Sequence, residues 1–136
     1  MGLFSGTRPQ RLGKLRAEDG SWRLHPVRTA YWNAVSSFET SAEHGIAPLA
    51  ARDPQATWQR LLGILRQWPG ARIITQDADY LHAECSTRLM GFVDDLECLL
   101  DERQQRIQVR SASRLGRRDF GVNRARIESI RKQLGG

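Results

Sequence analysis

The stretch that decides the fold reads Phe92-Val93-Asp94-Asp95-Leu96-Glu97-Cys98-Leu99-Leu100. Its even-numbered positions are mostly apolar, whereas positions 95 and 97 carry acids. Such alternation is typical of a half-buried β-strand whose even-numbered side chains point toward the core. The pattern places Asp94 on the core-facing side, between Phe92 and Leu96, and Asp95 on the opposite, open face.

Two helices are predicted on either side of the strand-rich region. Asp53-Pro54 is a favoured helix start, because Asp caps the first turn and Pro suits the first helical position. Apolar residues then follow helical spacing over 58–68, until Pro69-Gly70 ends the helix. The last helix is predicted over 123–134, with Asn123 as its N-cap.

Three further strand-like runs cover residues 72–75, 80–87 and 106–112. Short connections favour antiparallel pairing between neighbours in sequence. The predicted fold class is α+β: a four-stranded antiparallel sheet with two helices packed on one face, in the order helix-strand-strand-strand-strand-helix. Residues 1–21 are predicted to form a flexible, extended N-terminal arm and 22–136 a single α+β domain, in which 22–52 lie over the core.

The alternation also constrains strand register, because a one-residue slip would turn every side chain to the wrong face. A tight turn at Glu102-Arg103 is predicted to join the last two strands. The pairs that follow are Leu96–Val109, Cys98–Ile107, Asp95–Arg110 and Asp94–Ser111 in that hairpin, and Ala83–Leu96 and Cys85–Asp94 in the hairpin before it.

A core-facing Asp94 needs hydrogen-bond donors, because an unpaired buried carboxylate is costly. The expected donors are Ser111, Ser113, Arg114 and the amides that begin the last helix. Two interpretations remain open: an internal brace, or a perturbed carboxylate at a ligand pocket. Asp95 is expected to form an exposed cross-strand pair with Arg110.

Composition bounds the function. The net charge of +6 and a pI near 10.3 favour anionic partners without choosing among them. No apolar run approaches the ~20 residues of a membrane span, and no secretory signal is present, so a cytoplasmic location is expected.

The two cysteines, Cys85 and Cys98, are expected to be reduced core thiols too far apart for a disulfide. No metal or cofactor is predicted, because the histidines show no metal-ligand spacing.

The run from Arg110 to Arg126 combines guanidinium groups, small hydroxyls and two glycines ahead of a helix start. Guanidinium forks and helix-start amides both bind anions, so this turn is the predicted ligand site. The candidate ligand-binding residues are Asp94, Asp95, Arg110, Ser111, Ser113, Arg114, Asp119, Asn123 and Arg124.

Over residues 58–134 the chain resembles the family known as domain of unknown function 1499, found in bacteria and with relatives in plant chloroplasts. The matching segments are 79–84, 91–97, 110–116 and 119–127. The resemblance implies a shared polar site around Asp94, Asp95, Arg110, Arg114, Asp119, Asn123 and Arg124. It implies no activity, since none is established for the family.

The sequence favours a non-enzymatic binding or accessory protein for a small anion or an acidic partner. One alternative is a hydrolase-like enzyme with Asp94 or Asp95 as general base or metal ligand, which His82 on the open face could join. A second is a nucleic-acid-binding protein that uses the basic C-terminal region. A third is a scaffold whose open polar sheet face makes transient contacts. The oligomeric state is not predicted.

Overall fold

The computed structural model describes residues 9, 11–28, 33–86, 92–115 and 121–136. The elements in chain order are β1 (Lys14–Arg16), β2 (Trp22–Leu24), β3 (Ala34–Ser36), β4 (Leu49–Ala50), α1 (Pro54–Gln67), β5 (Ala71–Gln76), β6 (Tyr80–Ser86), β7 (Val93–Asp101), β8 (Arg106–Ser113) and α2 (Val122–Gln133). The α+β class is confirmed. Among the described residues, no helix combines the length and the apolar character that a membrane crossing requires.

The sheet is larger than predicted. Six strands form it, in the order β3-β8-β7-β6-β5, with β4 also paired to β8, and each of these strand pairings is antiparallel. The prediction of four strands was wrong because β3 and β4 have only three and two residues, too few to show a period of two. They cover the free edge of β8, which would otherwise expose unpaired backbone groups.

Helix α1 begins as predicted, with Asp53 as N-cap accepting a hydrogen bond from the amide of Ala56. Gly70 follows the helix with a φ of +82°, and a Cβ there would lie 2.5 Å from the carbonyl oxygen of Ser86, so glycine is required. The predicted cap of α2 was wrong. Gly121 occupies that position, and Asn123 lies inside the first turn with its side chain buried.

The parity of the strand register was predicted correctly, and the pairs Ala83–Leu96 and Cys85–Asp94 are confirmed. The β7–β8 pairing differs by two residues from the prediction: Asp94 lies opposite Ser113 and Asp95 opposite Ala112. The turn is longer than a two-residue hairpin, and it contains Gln105 at a φ of 53°. A shift of two residues leaves each side chain on its predicted side of the sheet. The length of the turn determines which residue lies opposite it on the neighbouring strand.

The two sheet faces have different covers. Helices α1 and α2 pack on the helix face and share one apolar core with it, which includes Trp58, Leu96 and Ile127. The opposite side, here called the hairpin face, is covered by the β1–β2 segment through Leu24, which packs with Tyr80 and Leu99. The prediction of an open, exposed polar face was therefore wrong.

Both cysteines are buried and free, as expected for reduced thiols. Burial raises the pKa of Cys85 to about 11, and it raises the pKa of Cys98 as well. A protonated, enclosed thiol is a poor nucleophile, so we assign these side chains to packing.

Candidate functional site

On the helix face, Asp94 is fully buried and paired. Its Oδ1 accepts a hydrogen bond from Ser113 Oγ at 2.6 Å, and its Oδ2 accepts one from Arg126 Nη2 at 2.8 Å. Ser113 was a predicted donor and Arg126 was missed. The predicted donors Ser111 and Arg114 were wrong, because Ser111 donates to Asn123 and Arg114 donates to Asp95. Arg126 lies four residues before Ile130 and therefore on the inward side of α2, and that spacing is the signal that could have revealed it.

Asn123 links α2 to the sheet beside this pair. Its Oδ1 accepts hydrogen bonds from Ser111 Oγ at 2.6 Å and from Arg126 Nη1 at 2.8 Å, and its Nδ2 donates to the carbonyl of Asn33 at 2.6 Å. The set Asp94, Ser111, Ser113, Asn123 and Arg126 is here called the Asp94 brace. It connects β7, β8 and α2, which favours the interpretation of Asp94 as an internal brace.

The hairpin face carries a second polar set, here called the Asp95 cluster: His82, Glu84, Asp95 and Arg114. Asp95 Oδ1 is 2.8 Å from His82 Nε2 and accepts from Arg114 Nη2 at 3.0 Å, while Oδ2 accepts from Arg114 Nε at 2.9 Å. Arg114 Nη2 also donates to Glu84. One guanidinium thus holds two carboxylates, those of Asp95 and Glu84.

Burial alone would raise the pKa of Asp95, but the hydrogen bonds and charges of His82 and Arg114 outweigh it and hold that pKa below its usual range. The hydrogen bond to Asp95 also raises the pKa of Arg114. Asp95 and Arg114 are therefore a fully charged pair at neutral pH.

The depressed pKa of Asp95 predicts an acid-dependent loss of stability. In the unfolded chain the Asp95 carboxyl has a pKa of about 3.9, higher than its pKa in the folded protein. Its contribution to the free energy of unfolding is therefore complete above about pH 3.9 and is lost as the pH falls through the folded pKa. Urea unfolding of the wild type and Asp95→Asn between about pH 6 and pH 2.5 measures this. The stability advantage of the wild type is expected to shrink on acidification, and an advantage that stays constant or grows would contradict the assignment.

Arg110 does not pair with Asp95, contrary to the prediction. Because of the two-residue register shift it lies opposite Glu97, and its Nη1 is 3.4 Å from Glu97 Oε1. Glu97 is fully buried and also accepts from Tyr80 Oη at 2.5 Å and from the Gly13 amide at 2.8 Å. Burial, together with the neighbouring Glu97, raises the pKa of Tyr80, which keeps the phenol a donor. Among the described residues, no hydrogen-bond partner faces Arg110 Nε.

The basic residues of α2 are partly engaged by backbone carbonyls. Arg124 Nη2 lies 3.3 Å from the carbonyls of Ala42 and Glu43, and Arg131 donates to those of Ala47 and Pro48 at 2.8 Å. These contacts hold the segment 42–48 against α2. Among the described residues, Arg124 hydrogen-bonds to this segment and not to either polar set. Asp119 lies outside the described residues.

The Asp95 cluster also has the composition of a metal site. Among the described residues, one donor atom each from His82, Glu84 and Asp95 can be chosen so that all three lie within 4.8 Å of one another. The sequence spacing does not reveal these three residues as a group, because they lie on two different strands. Alternation places His82 and Glu84 on one face of β6, and register places Asp95 opposite Glu84.

A family model described as "Protein of unknown function (DUF1499)" matches residues 28–134. The chain belongs to this family, as the sequence motifs indicated, and the matched segment contains both the Asp94 brace and the Asp95 cluster. No curated protein and no solved structure matches the chain.

Proposed function

We propose that this domain is a binding protein that takes a small anion, a phosphate or a carboxylate, at Arg114. The observation that carries the proposal is the unequal burial of the two carboxylates held by that guanidinium. The Asp95 side chain is 1% exposed, whereas that of Glu84 is 16% exposed. Asp95 orients the guanidinium from within, and Glu84 occupies the outer position that an incoming anion would take.

Glu84 acts in this proposal as an internal substitute for the ligand. A phosphate carries more charge than a carboxylate and forms the same forked hydrogen bonds with a guanidinium. It must nevertheless compete with Glu84, so the observed affinity is reduced by the fraction of molecules in which Arg114 is already occupied.

Removing the internal competitor gives the test. We expect Glu84→Gln to tighten binding of inorganic phosphate about tenfold, because a neutral amide competes less well for Arg114. We expect Arg114→Gln to abolish binding. Isothermal titration calorimetry on the full chain measures both, with Glu128→Gln on α2 as the matched control. Unchanged affinity in Glu84→Gln, or retained affinity in Arg114→Gln, would refute the proposal.

The alternatives have less support. A hydrolase would depend on Asp95 and His82, because Asp94 is occupied by Arg126 and Ser113 in the brace. A nucleic-acid interface on α2 would compete with the carbonyl contacts of Arg124 and Arg131. An acidic protein partner that binds Arg114 would also have to displace Glu84. Glu84→Gln would therefore tighten the binding of such a partner, as it would for a small anion.

A further inference from the structure

We infer that His82, Glu84 and Asp95 form a binding site for a divalent first-row metal ion such as Mn²⁺ or Zn²⁺. The three side chains supply one imidazole nitrogen and two carboxylate oxygens, a donor set that suits these ions. The inference shares the site of the proposed function and deepens it by adding a cation beside the anion.

The backbone holds the three donors in place. His82 and Glu84 are two residues apart on β6, and Asp95 faces Glu84 across the central β6–β7 pairing. Ligand atoms of one zinc ion lie about 3.5 Å apart when each bond is about 2.1 Å. Donors at most 4.8 Å apart therefore need to converge by only about 1 Å, whereas His82 Nε2 and Asp95 Oδ1, now 2.8 Å apart, would separate slightly and exchange their hydrogen bond for bonds to the metal.

The metal ion and the anion complement each other in charge. Counting only these groups, two carboxylates, a divalent ion and the nearby Arg114 guanidinium carry a net charge of +1. A bound anion would offset that charge, so the cation and the anion are expected to bind cooperatively. The metal ion must displace Arg114 from the carboxylates, which leaves the guanidinium available for an anion next to the metal.

Because Arg114 competes with the metal and serves the anion, its substitution has opposite effects on the two ligands. In Arg114→Gln we expect Mn²⁺ to bind about tenfold more tightly and phosphate binding to be lost. In Glu84→Gln we expect Mn²⁺ binding to weaken at least tenfold, whereas phosphate binding tightens. Glu128→Gln serves as the control, and thermal unfolding confirms that each variant is folded.

The experiment is a titration of the untagged full chain with Mn²⁺, followed by calorimetry and by the loss of the free-ion electron paramagnetic resonance signal. One ion bound per chain, with the stated changes in the variants, supports the site. No saturable binding of Mn²⁺ up to about 1 mM, or Mn²⁺ binding unchanged in Glu84→Gln, overturns it.

Phosphate binding without metal binding leaves the proposed function intact, and metal binding without phosphate binding refutes only the proposed function. When both bind, unaltered phosphate affinity in the presence of Mn²⁺ would place the ion elsewhere and overturn the inference.

Discussion

Replacing Arg126 by methionine is expected to lower the free energy of unfolding by about 3–5 kcal/mol, the usual cost of removing one partner from a buried ion pair. Asp94 is fully buried, and Arg126 Nη2 lies 2.8 Å from its Oδ2. The variant would remove a charged donor from the buried carboxylate and would also remove the donor to Asn123 that helps hold α2 on the sheet. Urea unfolding followed by circular dichroism measures the loss.

A double variant separates the pair from general damage. Arg126→Met combined with Asp94→Leu removes both charges and leaves a largely apolar site, so we expect it to be more stable than Arg126→Met alone. A cost below about 1 kcal/mol for Arg126→Met would contradict the brace, since ordinary surface substitutions produce changes of that size.

Replacing Glu97 by methionine is expected to destabilise the protein by a similar amount, about 3–5 kcal/mol. The substitution leaves Arg110 as a buried cation without its carboxylate, and Arg110 Nε has no hydrogen-bond partner among the described residues. It also removes the acceptor of Tyr80 Oη and of the Gly13 amide, which joins the β1–β2 segment to the sheet. Equilibrium urea unfolding measures the change.

Glu97→Gln is the matched control, because it keeps an acceptor of nearly the same shape and removes only the charge. We expect it to cost less than Glu97→Met. Adding Arg110→Met to Glu97→Met is expected to recover part of the loss, since the stranded cation is then absent. A Glu97→Met variant as stable as the wild type would show that the Glu97–Arg110 pair does not stabilise the hairpin face.

Alternation along residues 92–100 was sufficient to place Asp94 inside the protein and Asp95 on the other face, and both placements are confirmed. The helix start at Asp53-Pro54 was also predictable, because capping depends on residues adjacent in the chain. These features share a cause: each is set by interactions between residues a few positions apart.

The ion pairs could not be predicted in the same way. Register parity is unchanged when a turn lengthens by two residues, yet that change moved Arg110 from Asp95 to Glu97. The cover on the hairpin face was equally hidden, because Leu24 reaches Tyr80 and Leu99 through strands too short to show a period. Asn123 was predicted to be a cap on local grounds, but its side chain turns inward to the carbonyl of Asn33, 90 positions away.

The residue pattern was therefore enough to establish the α+β class, the face that each central strand residue occupies, and the need of Asp94 for a buried partner. The tertiary structure pairs Asp94 with Arg126 and buries Asp95 and Glu97, which were expected to be exposed. It also brings together His82, Glu84, Asp95 and Arg114. Periodicity records the direction of a side chain relative to its own strand or helix. The contacts that form the Asp95 cluster join residues far apart in the chain, and their geometry depends on turn lengths and packing that no local pattern encodes.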